Sequence, residues 1–158
     1  MSVVIKYLAD HPEFIPQIAT WYFNAWGHHE SDNSMEKIAA RLNTKLNRAR
    51  VPIPIVAIVD GKLLGTAQLK AHEMEIYPDR EFWLGGVYVD ESARNQRIAQ
   101  QLTHRIEEIA RHLGIHELFL QTARLDGGLY AKSGWIPMEQ VKYHSVQVLV
   151  MHKVLSIL

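Results

Sequence analysis

The hexapeptide Arg94-Asn95-Gln96-Arg97-Ile98-Ala99 joins an apolar run, Leu84 to Val89, to a strongly amphipathic segment. A strand that feeds a helix start in this way makes a pocket for an anion. The first turn of a helix has backbone N–H groups with no intrahelical acceptor and carries roughly half a unit of positive charge, so a phosphate or pyrophosphate binds there without a dedicated cation. Arg94 and Arg97 add formal charge to that backbone site. Elsewhere the pair would read as a solvated basic turn; here their position at a helix start after a strand favours an anion.

The elements around this pocket follow from periodicity. Ile98, Leu102, Ile106, Ile109 and Leu113 recur at the spacing of one buried helical face. The other face is polar: Glu107 precedes Arg111 by four residues, Arg111 and His112 suit the negative end of the dipole, and Gly114 is placed to end the helix in a left-handed cap. The helix therefore starts near Arg97. Upstream, Val3 to Leu8 reads as a strand, and Phe14 to Trp26 has helical periodicity starting near Pro12 or Glu13, because a proline is tolerated only in the first turn. A polar segment, Gly27 to Ser34, leads to a second amphipathic helix carrying Met35, Ile38, Ala39, Leu42 and Leu46.

Ile55 to Val59, Asp60-Gly61 and Lys62 to Lys70 form a hairpin, since Asp-Gly fits the positive φ angles of a two-residue type I′ turn. Phe82 to Asp90 is a fourth strand whose Gly85-Gly86 marks a bulge or a close backbone approach. Glu117 to Gln121, a short helix over Leu125 to Ser133, and the strands Trp135 to Val141 and Ser145 to Lys153 complete the order β-α-α-β-β-β-α-β-α-β-β.

At 158 residues and 47% hydrophobic, one domain spanning 1–158 is expected. Seventeen basic and seventeen acidic residues cancel, so no global field favours nucleic acid or an anionic membrane, and any phosphate site must be local. The absence of cysteine removes disulfides and thiolate nucleophiles and accords with a cytoplasmic location. No window approaches the ~18 apolar residues of a membrane span, and a soluble, uncleaved chain is expected.

These motifs resemble the GCN5-related N-acetyltransferase (GNAT) superfamily over essentially the whole chain. The family pattern after the fourth strand is Arg or Gln, two residues, Gly, one residue, then Gly or Ala. Arg94 and Ala99 match its ends, Arg97 occupies the glycine, and Asn95 replaces another glycine frequent in the loop. Leu118 to Thr122, followed by Leu129-Tyr130-Ala131-Lys132-Ser133-Gly134-Trp135, is similar to the fifth strand and its Tyr-x-x-x-Gly-aromatic segment, and Phe82-Trp83-Leu84 with Val87-Tyr88-Val89 is similar to the fourth strand.

The resemblance implies a single-domain α/β fold with a mixed, mostly antiparallel sheet, and transfer of an acetyl group from acetyl-CoA, as cosubstrate, to a primary amine on a small molecule or peptide. It implies that the fourth and fifth strands splay, so that the backbone of Val87, Tyr88 and Val89, together with Thr122, holds the pantetheine arm. Arg94, Asn95, Gln96, Arg97, Ile98, Ala99 and Gln100 would hold the pyrophosphate. A right-handed helical conformation at Arg97 would let it replace glycine with its side chain outward.

By the same resemblance Tyr130 is the acid that protonates the departing sulfur, a task within reach of a phenol at neutral pH. Many relatives carry a glutamate in the fourth strand where this chain has Gly85-Gly86, so the base is expected at Glu81, acting directly or through water. His72, Glu73 and Glu75 are alternatives on the same connection. Tyr22, Trp26 and His28 are candidates for selecting the acceptor, although Tyr22 and Trp26 also continue the apolar stripe of their helix. His28-His29-Glu30 lacks the spaced, convergent ligand set of a metal centre, and no metal is expected. The closing strands leave an edge that invites a second subunit. The rival reading is a non-catalytic acyl-CoA-binding or regulatory module, motivated by the missing glycines and the absent strand carboxylate.

Overall fold

Period-two alternation in the strands divides the hydrophobic residues between two layers of helix. The computed structural model describes residues 2–156. Its elements are β1 (Val4–Tyr7), α1 (Ile15–Ala25), α2 (Met35–Asn43), β2 (Ile53–Val59), β3 (Lys62–Ala71), β4 (Phe82–Val89), α3 (Ile98–His112), β5 (Glu117–Thr122), α4 (Gly128–Lys132), β6 (Ile136–Tyr143) and β7 (Val146–Val154). The order matches the one read from the sequence. Short 3-10 turns fill several of the connections.

The strands form one sheet in the order β1-β2-β3-β4-β5-β7-β6. Every neighbouring pair is antiparallel except β4 and β5. Ile55 and Ala57 of β2 pack with Ile98, Leu102 and Ile106 of α3, whereas Val56, between them, packs on the other face with Ile18, Trp21 and Leu42 of α1 and α2. The β2–β3 turn is the two-residue turn expected of Asp60-Gly61, with φ of 51° and 77°.

Four local expectations shift. The α1 helix begins at Ile15, because Pro12 opens a separate 3-10 turn and Pro16 is the proline of the helix's own first turn. The α2 helix ends at Asn43, before Leu46, where the Thr44 hydroxyl donates to the Arg41 carbonyl at 2.6 Å and competes with the helical ladder. The α4 helix shrinks to Gly128–Lys132, since Gly127 and Gly128 both take positive φ and Asp126 is engaged by Arg124. Leu113 caps α3 at 40% exposure instead of closing its buried stripe.

Glu107, expected on the solvated face of α3, is 2% exposed. Its carboxylate accepts from Lys153 Nζ at 2.8 Å and from Trp135 Nε1 at 3.3 Å, with Arg111 at 3.8 Å. A buried carboxylate needs such partners to offset its desolvation. The network ties α3 to β7 and to the chain entering β6. No helix of the described residues is long and apolar enough to cross a membrane.

Candidate active site

The sheet opens at the parallel junction of β4 and β5. Trp83 and Phe119 are the single aligned pair between β4 and β5. Beyond them Leu84 to Val87 and Leu120 to Ala123 line opposite walls of a cleft of about 630 Å³. The β3–β4 register slips by one residue between the Thr66–Tyr88 and Gln68–Gly85 pairs, which is the bulge expected of the glycine pair. Gly86 sits at φ +58°, and a β-carbon there would lie 2.5 Å from the Tyr22 hydroxyl. Instead the Tyr22 hydroxyl donates to the Gly86 carbonyl at 2.7 Å and accepts from Gln68 Nε2 at 3.1 Å, pinning α1 to the bulge.

Gly85 serves the close approach. A β-carbon there would collide with the carboxylate of Glu73, which reaches in from the β3–β4 connection. Glu73 accepts from Lys70 Nζ at 3.0 Å and from Gln121 Nε2 at 3.4 Å, and its side chain is 12% exposed. Tyr130, half-buried, lines the opposite wall and packs edge-on against Trp135. Burial, then the charge of Glu73, pushes its phenol up to about 12, so it remains a proton donor throughout the neutral range.

Glu81 stands apart. It is exposed and outside the cleft lining, and only its backbone is engaged, through the His72 N–H at 2.7 Å. Of the alternatives on the same connection, His72 is exposed and outside the lining, and Glu75 is exposed and accepts from the Tyr143 hydroxyl across the cleft mouth. Glu73 is the member of this group inside the cleft.

After the Arg94–Arg97 loop, α3 begins at Ile98 with Arg97 as its cap, and no side chain caps it. The first intrahelical bond runs from Gln101 N–H to the Arg97 carbonyl, leaving the N–H groups of Ile98, Ala99 and Gln100 without an intrahelical acceptor. Arg97 itself is left-handed, at φ 61° and ψ 21°, which corrects the right-handed conformation expected of it. Asn95 also has positive φ, at 68°. Both residues thus take a backbone conformation that glycine adopts most easily. Asparagine tolerates it well, and arginine at a cost of roughly 1 kcal/mol. Arg94 Nε donates to the Val89 carbonyl at 3.1 Å, which ties the loop to β4 and leaves that oxygen a second lone pair.

The profile of the acetyltransferase (GNAT) family matches residues 13–135. This chain belongs to that family. No curated protein sequence matches it, but solved structures of acetyltransferases share the fold. An N-acetyltransferase from Staphylococcus aureus Mu50 superposes with a TM-score of 0.77 at 18% identity, covering 99% of this chain and 100% of its own. The ribosomal-protein-alanine N-acetyltransferase of Brucella melitensis gives 0.76 at 20% identity, covering 96% and 99%. An aminoglycoside 6′-N-acetyltransferase complexed with coenzyme A gives 0.72 at 15% identity, covering 96% of each.

Within this acetyltransferase the expected acceptor residues divide. Tyr22 and Trp26 line the cleft; Tyr22 is 9% exposed, and Trp26, 49% exposed, lies against Tyr22 with ring centroids 5.3 Å apart. His28 does not line it; the residue is exposed and its Nδ1 lies 3.1 Å from the Phe23 carbonyl. The Tyr88 side chain stacks on Trp21, and neither Tyr88 nor Val89 lines the cleft. Thr122 lines the cleft, with its hydroxyl accepting from the Arg124 N–H at 3.1 Å.

Gln68, Lys70, Arg41 and Lys45 also line the cleft and were not read as site residues. For Gln68 a signal was available: a long polar side chain inside the buried stretch Leu63 to Leu69. Among the described residues no group of three or more His, Asp or Glu side chains converges as a metal site.

Proposed function

We propose that this acetyltransferase moves the acetyl group of acetyl-CoA directly to a primary amine within a ternary complex, with Glu73 as base and Tyr130 as acid. The observation that carries the reading is the placement of the Glu73 carboxylate, beside Gly85 of β4, and the Tyr130 phenol in the cleft where β4 and β5 part. The residues present suit the cosubstrate. Ile98, Ala99 and Gln100 offer N–H groups to a pyrophosphate, Arg94, Asn95, Gln96 and Arg97 surround that position, and Val87 and Thr122 line the cleft for the pantetheine arm, with Tyr88 and Val89 continuing β4 toward the loop.

The proton ledger assigns the two side chains. A lysine-like amine with a pKa near 10.4 costs about 4 to 5 kcal/mol to neutralise at pH 7, and an α-amine near 8 about 1 kcal/mol. Glu73 takes that proton, directly or through water, while Lys70 and Gln121 hold its carboxylate in place. As the new C–N bond forms and the C–S bond breaks, Tyr130 donates its phenolic proton to the departing sulfur. Tyr22 and Trp26 form the wall against which the acceptor rests. No covalent enzyme intermediate is required.

Calorimetry on protein freed of endogenous ligand should give acetyl-CoA affinity in the millimolar range or tighter, and mixing with amines should release thiol. No affinity in that range overturns the reading. Binding with no thiol release across amine and peptide panels would favour the rival, a non-catalytic acyl-CoA-binding module.

A further inference from the structure

The cleft carries three cations, Arg41 on α2, Lys45 just past its end and Lys70 on β3, against two acids, Glu30 and Glu73. One cation is balanced: Lys70 pairs with Glu73 at 3.0 Å. Arg41 Nη2 donates only to the neutral amide oxygen of Asn33, at 3.2 Å. The Lys45 ammonium makes no hydrogen bond or ion pair with any described residue, although it is half-buried. Its pKa is depressed by burial first, then by the charges of Lys70 and Arg41. An ammonium held in this way by like charges is stabilised by an anion that enters the cleft.

A second polar atom lacks its partner in the same cleft. Gln68 is 3% exposed; its Nε2 donates to Tyr22, while its Oε1 accepts from nothing among the described residues. An orphaned buried acceptor costs free energy until an N–H reaches it. Beside the β4 bulge, therefore, the cleft offers acceptors in Gln68 Oε1 and Glu73. On the α2 side it offers unbalanced cations.

We infer that the acceptor is a small amine that also carries an anionic group, carboxylate or phosphate, with its nitrogen at Gln68 Oε1 and Glu73 and its anion at Lys45 and Arg41. The inference rests on the acetyl-transfer reading and names its substrate class. A polycationic acceptor would meet Arg41 and Lys45 with like charge. Arg41 lies on α2 and Lys45 just past its end, where they serve the acceptor, apart from the pyrophosphate residues at the start of α3.

Thiol release on matched pairs tests it: an α-amino acid against its carboxamide, phosphoethanolamine against ethanolamine, and spermidine as the cationic comparison. The anionic member of a pair should be preferred by roughly tenfold or more in kcat/KM, the scale of one charge-assisted hydrogen bond, and the preferred pair tells carboxylate from phosphate. Lys45→Met, which keeps the aliphatic stem, should remove that preference through KM while acetyl-CoA affinity by calorimetry stays unchanged. Lys45→Arg should restore it, and Arg41→Met should weaken it independently. Preference for the neutral or cationic amine, refusal of every anionic amine by protein that binds acetyl-CoA, or a loss of acetyl-CoA affinity in Lys45→Met would each overturn the inference. Refusal of every amine, anionic or not, would also tell against the transferase reading. Failure to bind acetyl-CoA at all overturns both.

Discussion

The carboxylate of Glu73 covers Gly85, standing where a side chain on that strand residue would have to begin. The β3–β4 connection thus delivers an acid to the position that strand four leaves bare.

Glu73→Gln should therefore lower turnover by about a hundredfold or more, the lower end of what general acid–base catalysis supplies, and leave acetyl-CoA affinity intact. Glu73→Ala with Gly85→Glu should recover part of the lost rate, because the first change removes the nearest clash and frees the Lys70 side chain, whose Cδ would lie 2.7 Å from the new β-carbon, to swing aside. Unchanged turnover in Glu73→Gln under steady-state assay removes Glu73 from the mechanism.

Tyr130→Phe should reduce turnover by a comparable factor, with acetyl-CoA binding preserved by calorimetry. Because burial and Glu73 hold the phenol at about 12, no loss of the acid is expected in the rate profile between pH 6 and about 10. Full activity in the phenylalanine variant would contradict the assignment.

Much of the frame was legible because its signals are local. Asp60-Gly61 specifies its turn within two residues, and Ile98 to Ile109 define a buried stripe through their own spacing. Glu73 was harder to distinguish from Glu75 and Glu81, since all three sit on one irregular connection and only tertiary packing turns one of them inward. Glu107 misled for a related reason: its spacing to Arg111 describes a surface pair, whereas Lys153 and Trp135, which bury it, come from elements far along the chain. Arg41 on α2 and Lys45 just past it look like the solvated side of an amphipathic helix until the sheet brings Gln68 and Lys70 beside them.

Glu107→Ala should cost about 3 kcal/mol in urea unfolding, as expected when one partner of a buried ion pair is removed and Lys153 is left behind. A change within about 0.5 kcal/mol, the usual range for surface sites, would mean that the network is solvated.

Arg97 offers a test of backbone conformation separate from charge. Arg97→Gly and Arg97→Ala both remove the guanidinium, but only glycine accepts φ 61° without strain, so the glycine variant should be the more stable by about 1 kcal/mol. Equal stability in denaturant titrations would contradict a left-handed residue at this position.

Alkaline stability follows from Tyr22. Burial raises its phenol from 10.0 to about 12. A group raised in the folded state contributes stability that is fully present below its unfolded pKa and is lost as pH climbs through the folded one. Unfolding free energy should therefore fall between pH 10 and 12, by of order 3 kcal/mol from this residue. Tyr22→Phe should flatten that slope; a fall of the same size in the variant would place its origin elsewhere.

The most direct measurement is a crystal structure of the protein with acetyl-CoA bound. The expected result is the pyrophosphate on the N–H groups of Ile98, Ala99 and Gln100, the pantetheine arm between β4 and β5, and the thioester between Glu73 and Tyr130. A cosubstrate bound on another face, or a thioester out of reach of both side chains, would contradict it.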